Sequence, residues 1–328
     1  MIELKIENLK AFIKNYFTVI DKNVYDKWHM FLPENCIVMS GGESIKNFDS
    51  VKILIGELVK KGFNKNDRIA AIGGGALLDL VGFVASIYMR GIEWVNVPTT
   101  LVSMVDSSIG GKTAINFSKE DGISFKNLVG SFHVPKKTFF CFKFLESLNQ
   151  SEIKNGWGEI IKTALLDRNI FDLVNVFGKK NMIQTSVCEQ LIDIIKACVR
   201  FKNEIIKKDL LDTEIRKFLN LGHTIGHGLE SAYGFSHGVC IAKGIELEYK
   251  ILGDIKKDIK NWIYDRTSIL CEGVFEFGID IERVLTAMMM DKKNEDGLLN
   301  FVVLKDIGAA EMIKITREEF QNRWKNIV

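Results

Sequence analysis

Proline stands at only three positions, Pro33, Pro98 and Pro135, and none of the 193 residues after Pro135 is proline. Inside a helix a proline deletes a hydrogen bond and its ring collides with the preceding turn. A stretch that avoids it for so long is open to helix throughout. Periodicity agrees: in CEQLIDIIKACVRFKNEII, Leu191, Ile195, Cys198 and Ile205 fall on one helical stripe. The part before Pro135 reads differently. CIVMS, RIAAIGGG and WVNVPTT are short apolar runs ending in glycine, serine or threonine. Each leads into a helical pattern: SIKNFDSVKILIGELVKKG, ALLDLVGFVASIYMRG and LVSMVDSSIGG. Strand, tight turn, helix, strand is the order that builds a parallel sheet covered by helices. The chain's 328 residues also exceed what a single core ordinarily serves. The expectation is an α/β protein: a Rossmann-like α/β domain over 1–148, then a mostly α-helical domain over 149–328, divided within LESLNQSE.

Composition narrows the function. Forty-four basic residues stand against 42 acidic ones, a formal charge of +2. That balance leaves no footprint for nucleic acid or for an anionic membrane. Lysine runs such as KKGFNKNDR alternate with acids and apolar residues, as solvated helix faces do. The longest mostly apolar stretch, IAAIGGGALLDLVGFVASIYM, is broken by three glycines and Asp79, which argues against a transmembrane helix. The mixed charges of MIELKIENLKAFIKNYF predict no secretory leader. Six cysteines without a CxxC spacing predict reduced thiols and a cytoplasmic protein.

Gly73, Gly74 and Gly75 stand where a strand hands over to a helix. Glycines there let the backbone approach a pyrophosphate, whose charge a helix N-terminus favours. The triplet lacks the GxGxxG spacing, so it reads equally as a plain tight turn. Asp79 follows in the helix. LGHTIGH and FSHGV carry His223, His227 and His237, three of the five histidines. Arg216, Asn220, His223 and His227 are spaced by four, three and four, which on a continuous helix puts all four on one face. Such a stripe is either the wall of a site or an exposed polar face. Gly222 and Gly226 weigh against the second reading. Each costs a helix about 1 kcal/mol relative to alanine, which a close backbone approach would explain.

A catalytic metal centre needs about three protein ligands and an open position. The third donor could be a carboxylate, and Glu159, among Trp157, Ile160, Ile161 and Leu165, is the candidate. Lys162, three residues on, offers a local ion pair instead. By analogy with HExxH, His223 and His227 would be the ligand pair, and spacing alone does not decide the point. Lys202 falls on or beside the stripe of Leu191, Ile195, Cys198 and Ile205. It either snorkels outward or points its ammonium, with Arg216, into a polar cavity. VDSSIGGKTAIN and FKNLVG place Asp106, Lys112, Lys126 and Asn127 in glycine-rich turns. These suit an anionic, oxygen-rich ligand and equally a solvated surface.

Taken in order, GGESIK, GGGALLD, YMRG, VPTTL, VDSSIGGKTAIN, KNLVG, GEIIKTA, LNLGHTIGH, SHG and DKKN resemble the 3-dehydroquinate synthase family of sugar-phosphate cyclases, over about residues 18 to 310. The resemblance implies NAD in the first domain. Asp21, Glu43 and Lys46 would hold its adenosine and ribose end. Gly74, Gly75 and Asp79 would line the pyrophosphate region beside Thr99 and Thr100, with Lys112 and Lys126 also on the cofactor side. It implies a divalent metal, zinc or else cobalt, on Glu159, His223 and His237, which makes His227 a site residue and not a ligand. Asp106, Lys112, Asn127, Lys162, Lys202, Arg216, Asn220, His227, Lys292 and Lys293 would surround the substrate, a small sugar-acid phosphate. Arg90 resembles an arginine that reaches across a homodimer interface.

The implied activity is conversion of 3-deoxy-D-arabino-heptulosonate 7-phosphate to 3-dehydroquinate and phosphate, in the shikimate route to aromatic amino acids. Departures from the family pattern are Leu78 and Val239, where glycine and glutamate are frequent, and the longer loop FSKEDGISF. Asp212 and Thr213 stand near where a glycine pair is frequent. The rival readings are a cyclase making 2-deoxy-scyllo-inosose or a valiolone, and a metal-dependent alcohol or glycerol dehydrogenase. The second would release NADH. An inactive binding protein is disfavoured by the intact metal triad.

Overall fold

A computed structural model describes every residue except 120–123, 254, 277, 290–297 and 326–328. The chain separates into two compact units, Met1–Leu148 with Thr185–Val187, and Asn149–Gln184 with Cys188–Val328.

The first unit contains strands β1 (Ile2–Glu3), β2 (Phe17–Asp21), β3 (Cys36–Met39), β4 (Arg68–Gly73), β5 (Glu93–Pro98), β6 (Lys112–Ser118), β7 (Ser124–Phe132) and β8 (Lys137–Phe140). Its helices are α1 (Ile6–Phe12), α2 (Lys22–Trp28), α3 (Phe48–Lys60) and α4 (Gly75–Ile87). Six strands form one parallel sheet in the order β1-β8-β5-β4-β2-β3. β2 and β4 lie inside it and are buried along almost their whole length, all of β2 and β4 after Arg68, as strands covered on both faces are. Leu54 and Leu58 of α3 and Leu80, Val81 and Val84 of α4 close over Val19, Ile69 and Ala71 to make the core. β6 and β7 form a separate antiparallel ribbon. LVSMVDSSIGG, expected as a helix, contains a π turn over Ser103–Ser107, in which the Ser108 N–H donates to the Ser103 carbonyl at 3.1 Å.

The second unit is built from α5 (Gln150–Leu166), α6 (Arg168–Phe177), α7 (Glu189–Lys208), α8 (His223–Tyr233), α9 (His237–Leu252), α10 (Lys257–Cys271), α11 (Ile281–Met289) and α12 (Arg317–Lys325). An antiparallel pair, β9 (Leu298–Asp306) and β10 (Ala309–Thr316), joins them. α5 starts on a capping box, Asn149 bonding the Glu152 N–H and Glu152 the Asn149 N–H. α7 buries Leu191, Ile195 and Cys198 of the expected stripe, and Lys202 with them.

The single helical face drawn through Arg216, Asn220, His223 and His227 is corrected by the structure. Ile215–Asn220 is a 3-10 turn, Leu221 is extended (ψ 126°), and Gly222 is left-handed (φ 77°) before α8 begins at His223. The four-three-four spacing spans two segments with a bend between them. Glycine is what makes the bend possible, since a Cβ is strained at that φ.

Candidate active site

In the first unit the strand order reverses between β2 and β4. β3 lies outside β2, and β5 and β8 lie beyond β4. Open α/β sheets bind ligands at the carboxyl ends of the strands flanking such a switch. Asp21 ends β2 and Gly73 ends β4. A Cβ on Gly73 would stand 2.7 Å from the Leu77 side chain and 3.2 Å from the Asp21 Cβ, so a larger residue would have to displace Leu77. The next residue, Gly74, is the N-cap of α4 and no side chain caps that helix, which presents its positive end there. Cβ atoms on Gly74 and Gly75 would lie 3.1 Å from Thr100 and 2.6 Å from the Ser107 hydroxyl. The Thr99 N–H donates to the Gly73 carbonyl at 3.0 Å. Thr100 and Ser103 bond reciprocally, side chain to backbone.

Lys46 is the unusual side chain of this unit, a lysine only 3% exposed. Its ammonium pairs with Asp79 at 2.7 Å, donates to the Asn127 side-chain oxygen and lies 3.7 Å from Glu43. Burial draws its pKa down. Asp79 and then Glu43 outweigh that and hold it above its ordinary value. Asn127 takes part from a left-handed backbone (φ 52°) and its N–H donates to the Asn116 side chain. Four expected site residues thus come together, Glu43, Asp79 and Asn127 around the Lys46 ammonium. Asp106 is half-buried in the π turn, while Lys112 and Lys126 are exposed on β6 and β7. Arg90 is exposed in a turn where it and Met89 both have positive φ (62° and 47°). Lys65 steadies that turn by donating to the Met89 and Gly91 carbonyls.

In the second unit, Glu159 of α5 is 1% exposed, and the ring nitrogens of three histidines lie near one another. Glu159 Oε1 is 2.9 Å from His237 Nε2 and 3.6 Å from His223 Nε2. The Lys162 ammonium pairs with its other oxygen. His237 Nδ1 faces Glu230 at 2.9 Å, and His223 Nδ1 faces the Leu221 carbonyl at 3.1 Å. With both Nδ1 atoms on acceptors, both Nε2 atoms are turned toward one carboxylate oxygen, the arrangement that ligating histidines use. Donor atoms of His223, His227 and His237 all lie within 4.8 Å of one another. Burial opposes charge on His237, but Glu159 and Glu230 push its pKa up to about 10. Glu159 is opposed by burial too, yet Lys162 and His237 hold it well below the carboxylate range. The pocket is built for a cation between carboxylates, and the donor set fits a divalent metal.

Helix contact sets this geometry. A Cβ on Gly158 would lie 2.6 Å from the Gly238 Cα and closer still to its carbonyl, so α5 and α9 meet backbone to backbone. A Cβ on Gly244 would reach within 2.8 Å of the Gly226 N, so α9 meets α8 in the same way. The close approach inferred for Gly222 and Gly226 is therefore present. Lys162 and Lys202 are buried, as is Arg216, and Asn220 closes the 3-10 turn. Lys292 and Lys293 lie outside the described residues. Glu230 is the residue that sequence reasoning missed. It stands seven after His223 and three after His227, on the face those histidines share, and that spacing was available to find it.

The family model for the 3-dehydroquinate synthase N-terminal part matches residues 36–155, and that for the C-terminal part matches 156–294. The chain is 35% identical over 292 residues to a 3-dehydroquinate synthase of Alkaliphilus metalliredigens, covering 86% of this chain and 80% of that one. Among solved structures, a 2-epi-5-epi-valiolone synthase from Streptomyces hygroscopicus subsp. jinggangensis with NAD+ and Zn2+ bound superposes with a TM-score of 0.87 at 23% identity, covering 99% of this chain and 95% of that one. A 2-deoxy-scyllo-inosose synthase complexed with carbaglucose-6-phosphate, NAD+ and Co2+ gives 0.82 at 22% identity, covering 100% of this chain and 96% of that one. At such identities the likeness is one of fold.

Proposed function

The chain belongs to the 3-dehydroquinate synthase family, and on that premise we propose that it converts 3-deoxy-D-arabino-heptulosonate 7-phosphate to 3-dehydroquinate and phosphate. It is a lyase of aromatic amino-acid biosynthesis that uses NAD and one divalent metal. The observation that carries the reading is the turning of His223 and His237 Nε2 toward Glu159 Oε1, with Lys162 on the other oxygen. Glu159, His223 and His237 would hold zinc, or cobalt in its place, and Glu230 would fix the tautomer of His237. Gly74 and Gly75 would admit the NAD pyrophosphate at the uncapped end of α4, with Asp21 and the Lys46–Asp79 pair at the ribose end. When bound, the metal supplies Lewis acidity at the substrate hydroxyls and NAD supplies reversible oxidation at the neighbouring carbon.

The remaining work falls to the chain's own side chains. Arg216 pairs two hydrogen bonds with the substrate carboxylate, and Lys202 and Asn220 hold its position. Lys162, beside Glu159, orients a hydroxyl. His227, outside the ligand set, moves a proton at a substrate oxygen. Asp106, Lys112, Lys126 and Asn127 complete the contacts to anionic oxygens. The substrate is oxidised at one carbon and reduced again at the same carbon, so loss of phosphate and ring closure leave no net redox change.

Arg90 supports a homodimer. It stands on a strained turn with exposed Ile87 and Met89; His133, which bonds Ile92 just after that turn, is flanked by Phe132 and Val134, which are also exposed, a face suited to a second copy of the chain. Free cysteines support a cytoplasmic setting; among the described residues no helix is long and apolar enough to cross a membrane.

The test is phosphate release from the heptulosonate phosphate with a divalent ion and substoichiometric NAD. Many turnovers per NAD without accumulating NADH are expected. Turnover of glucose 6-phosphate instead would indicate a different cyclase, and stoichiometric NADH a dehydrogenase.

A further inference from the structure

We propose that Asp209 is a positioning residue for Arg216, which sets the direction of that guanidinium by gathering the chain between the two residues onto its own carboxylate. The proposal rests on the reading of Arg216 as the group that receives the substrate carboxylate. Asp209 directly follows α7 and its N–H closes that helix on the Ile205 carbonyl at 2.9 Å. Although an acid, it is 6% exposed. Its Oδ1 accepts from the Thr213 N–H at 2.9 Å and from the Thr213 hydroxyl at 3.3 Å. Its Oδ2 accepts from the Glu214 N–H at 2.7 Å and from the Arg216 N–H at 3.0 Å. Among the described residues these four donors surround one carboxylate, and a charged acceptor makes each bond stronger than a neutral one would.

The loop so closed also holds the other end of Arg216. The guanidinium Nη1 donates to the Leu210 carbonyl at 2.7 Å, the residue next to Asp209. Backbone and side chain of Arg216, itself 3% exposed, are therefore both referred to the same wrap, residues 209–216. The wrap turns through Asp212, whose φ of 63° an L-residue adopts reluctantly. A glycine at 213 would remove the hydroxyl bond; this chain has threonine there and gains it. Lys202 lies two turns before Asp209 on α7, so one residue ties together the end of the helix carrying Lys202, through its N–H, and the loop carrying Arg216, through its carboxylate.

The experiment compares Asp209→Asn, Arg216→Lys and the double variant in the metal-loaded protein. Phosphate release from the sugar acid, metal content and NAD affinity are measured. Asp209→Asn is expected to lower kcat/KM roughly 10- to 100-fold, as a misplaced contact group does, with metal and NAD binding at wild-type values. In the Arg216→Lys background the same substitution should cost less than about threefold, because residues acting as one unit are not additive. Equal losses in both backgrounds would overturn the proposal, since a merely structural acid lowers both alike. A second readout needs no turnover: modification of Arg216 by phenylglyoxal, mapped by mass spectrometry. It should be slow in the wild type and at least about tenfold faster in Asp209→Asn, reflecting a guanidinium no longer held; an unchanged rate refutes the proposal. If the wild type ignores the sugar acid, the assigned activity fails, while the modification rate still decides whether Asp209 holds Arg216. Should Asp209→Asn fold poorly, Thr213→Val, which removes only the hydroxyl bond, is expected to raise the modification rate two- to threefold on the order of one lost hydrogen bond. No rise in that variant rejects the proposal.

Discussion

Alanine at position 158 places a methyl group inside the backbone of a neighbouring helix. The added Cβ would lie 2.6 Å from the Gly238 Cα and nearer still to the Gly238 carbonyl. These are main-chain atoms, so no rotamer change relieves the clash. Restoring an ordinary carbon–carbon separation of about 3.5 Å requires α5 and α9 to part by about 1 Å. Glu159 is the next residue on α5 and His237 the preceding one on α9, now 2.9 Å apart through Oε1 and Nε2. Metal sites hold their ligand distances to about 0.2 Å, so a shift several times larger removes one ligand from reach. Overpacking of this kind typically costs about 1–3 kcal/mol of stability, which lowers Tm by several degrees at roughly 2–4 °C per kcal/mol in a unit of this size. Metal affinity should fall by at least the roughly 10- to 100-fold that follows loss of a supporting group. Competition with a fluorescent chelator reads the affinity and calorimetry the melting. NAD binding should be unchanged. A Gly158→Ala protein with wild-type metal affinity and Tm would falsify the claim that backbone contact sets the site.

Gly56 is the opposite case, a helix-interior glycine with nothing within 4 Å of an added Cβ; Gly56→Ala should stabilise by about 0.4–1 kcal/mol in urea titration. His223→Ala and His237→Ala should abolish stoichiometric metal, whereas His227→Ala should retain it and lose turnover; metal analysis showing the reverse would reassign the ligands. For Asp209, burial raises the pKa, but the N–H groups of Thr213, Glu214 and Arg216 outweigh it and bring the carboxyl from 3.8 down to about 2. A depressed acid stabilises the fold above its unfolded pKa and loses that contribution as pH falls toward the folded one. The urea-midpoint advantage of wild type over Asp209→Asn should therefore be constant above about pH 4 and shrink between 3.8 and 2; an advantage that grows on acidification refutes it.

Features that depend on local pattern were legible in the residues. The strand–glycine–helix repeat around RIAAIGGG is the sheet's own switch strand, and the proline-free half is helical because nothing interrupts it. Lys202 was visible as a lysine on an apolar stripe, and it is buried there. Features that depend on a change of direction were not. Arg216, Asn220, His223 and His227 satisfy helical arithmetic, which a 3-10 turn, an extended Leu221 and a positive φ at Gly222 together break. The β9–β10 pair lies in the half read as mostly helical, since apolar alternation over a few residues competes poorly with a long helical background. Lys46, Asp79 and Asn127 are 33 and 48 residues apart in sequence, and their meeting is a product of tertiary packing.

A π turn is an α turn with a residue inserted. At Ser103–Ser107 the surplus residue lies in the turn that brings the Ser107 hydroxyl against Gly75, 2.6 Å from where a Cβ there would stand. Each helical residue advances the chain by about 100°, so deleting one position there would regularise the turn and swing one of these groups away from the other by that angle. Every side chain would remain chemically intact. This part of the protein is thus encoded in residue count as well as residue identity, and it is exposed to a kind of change, insertion or deletion, that no point substitution reproduces.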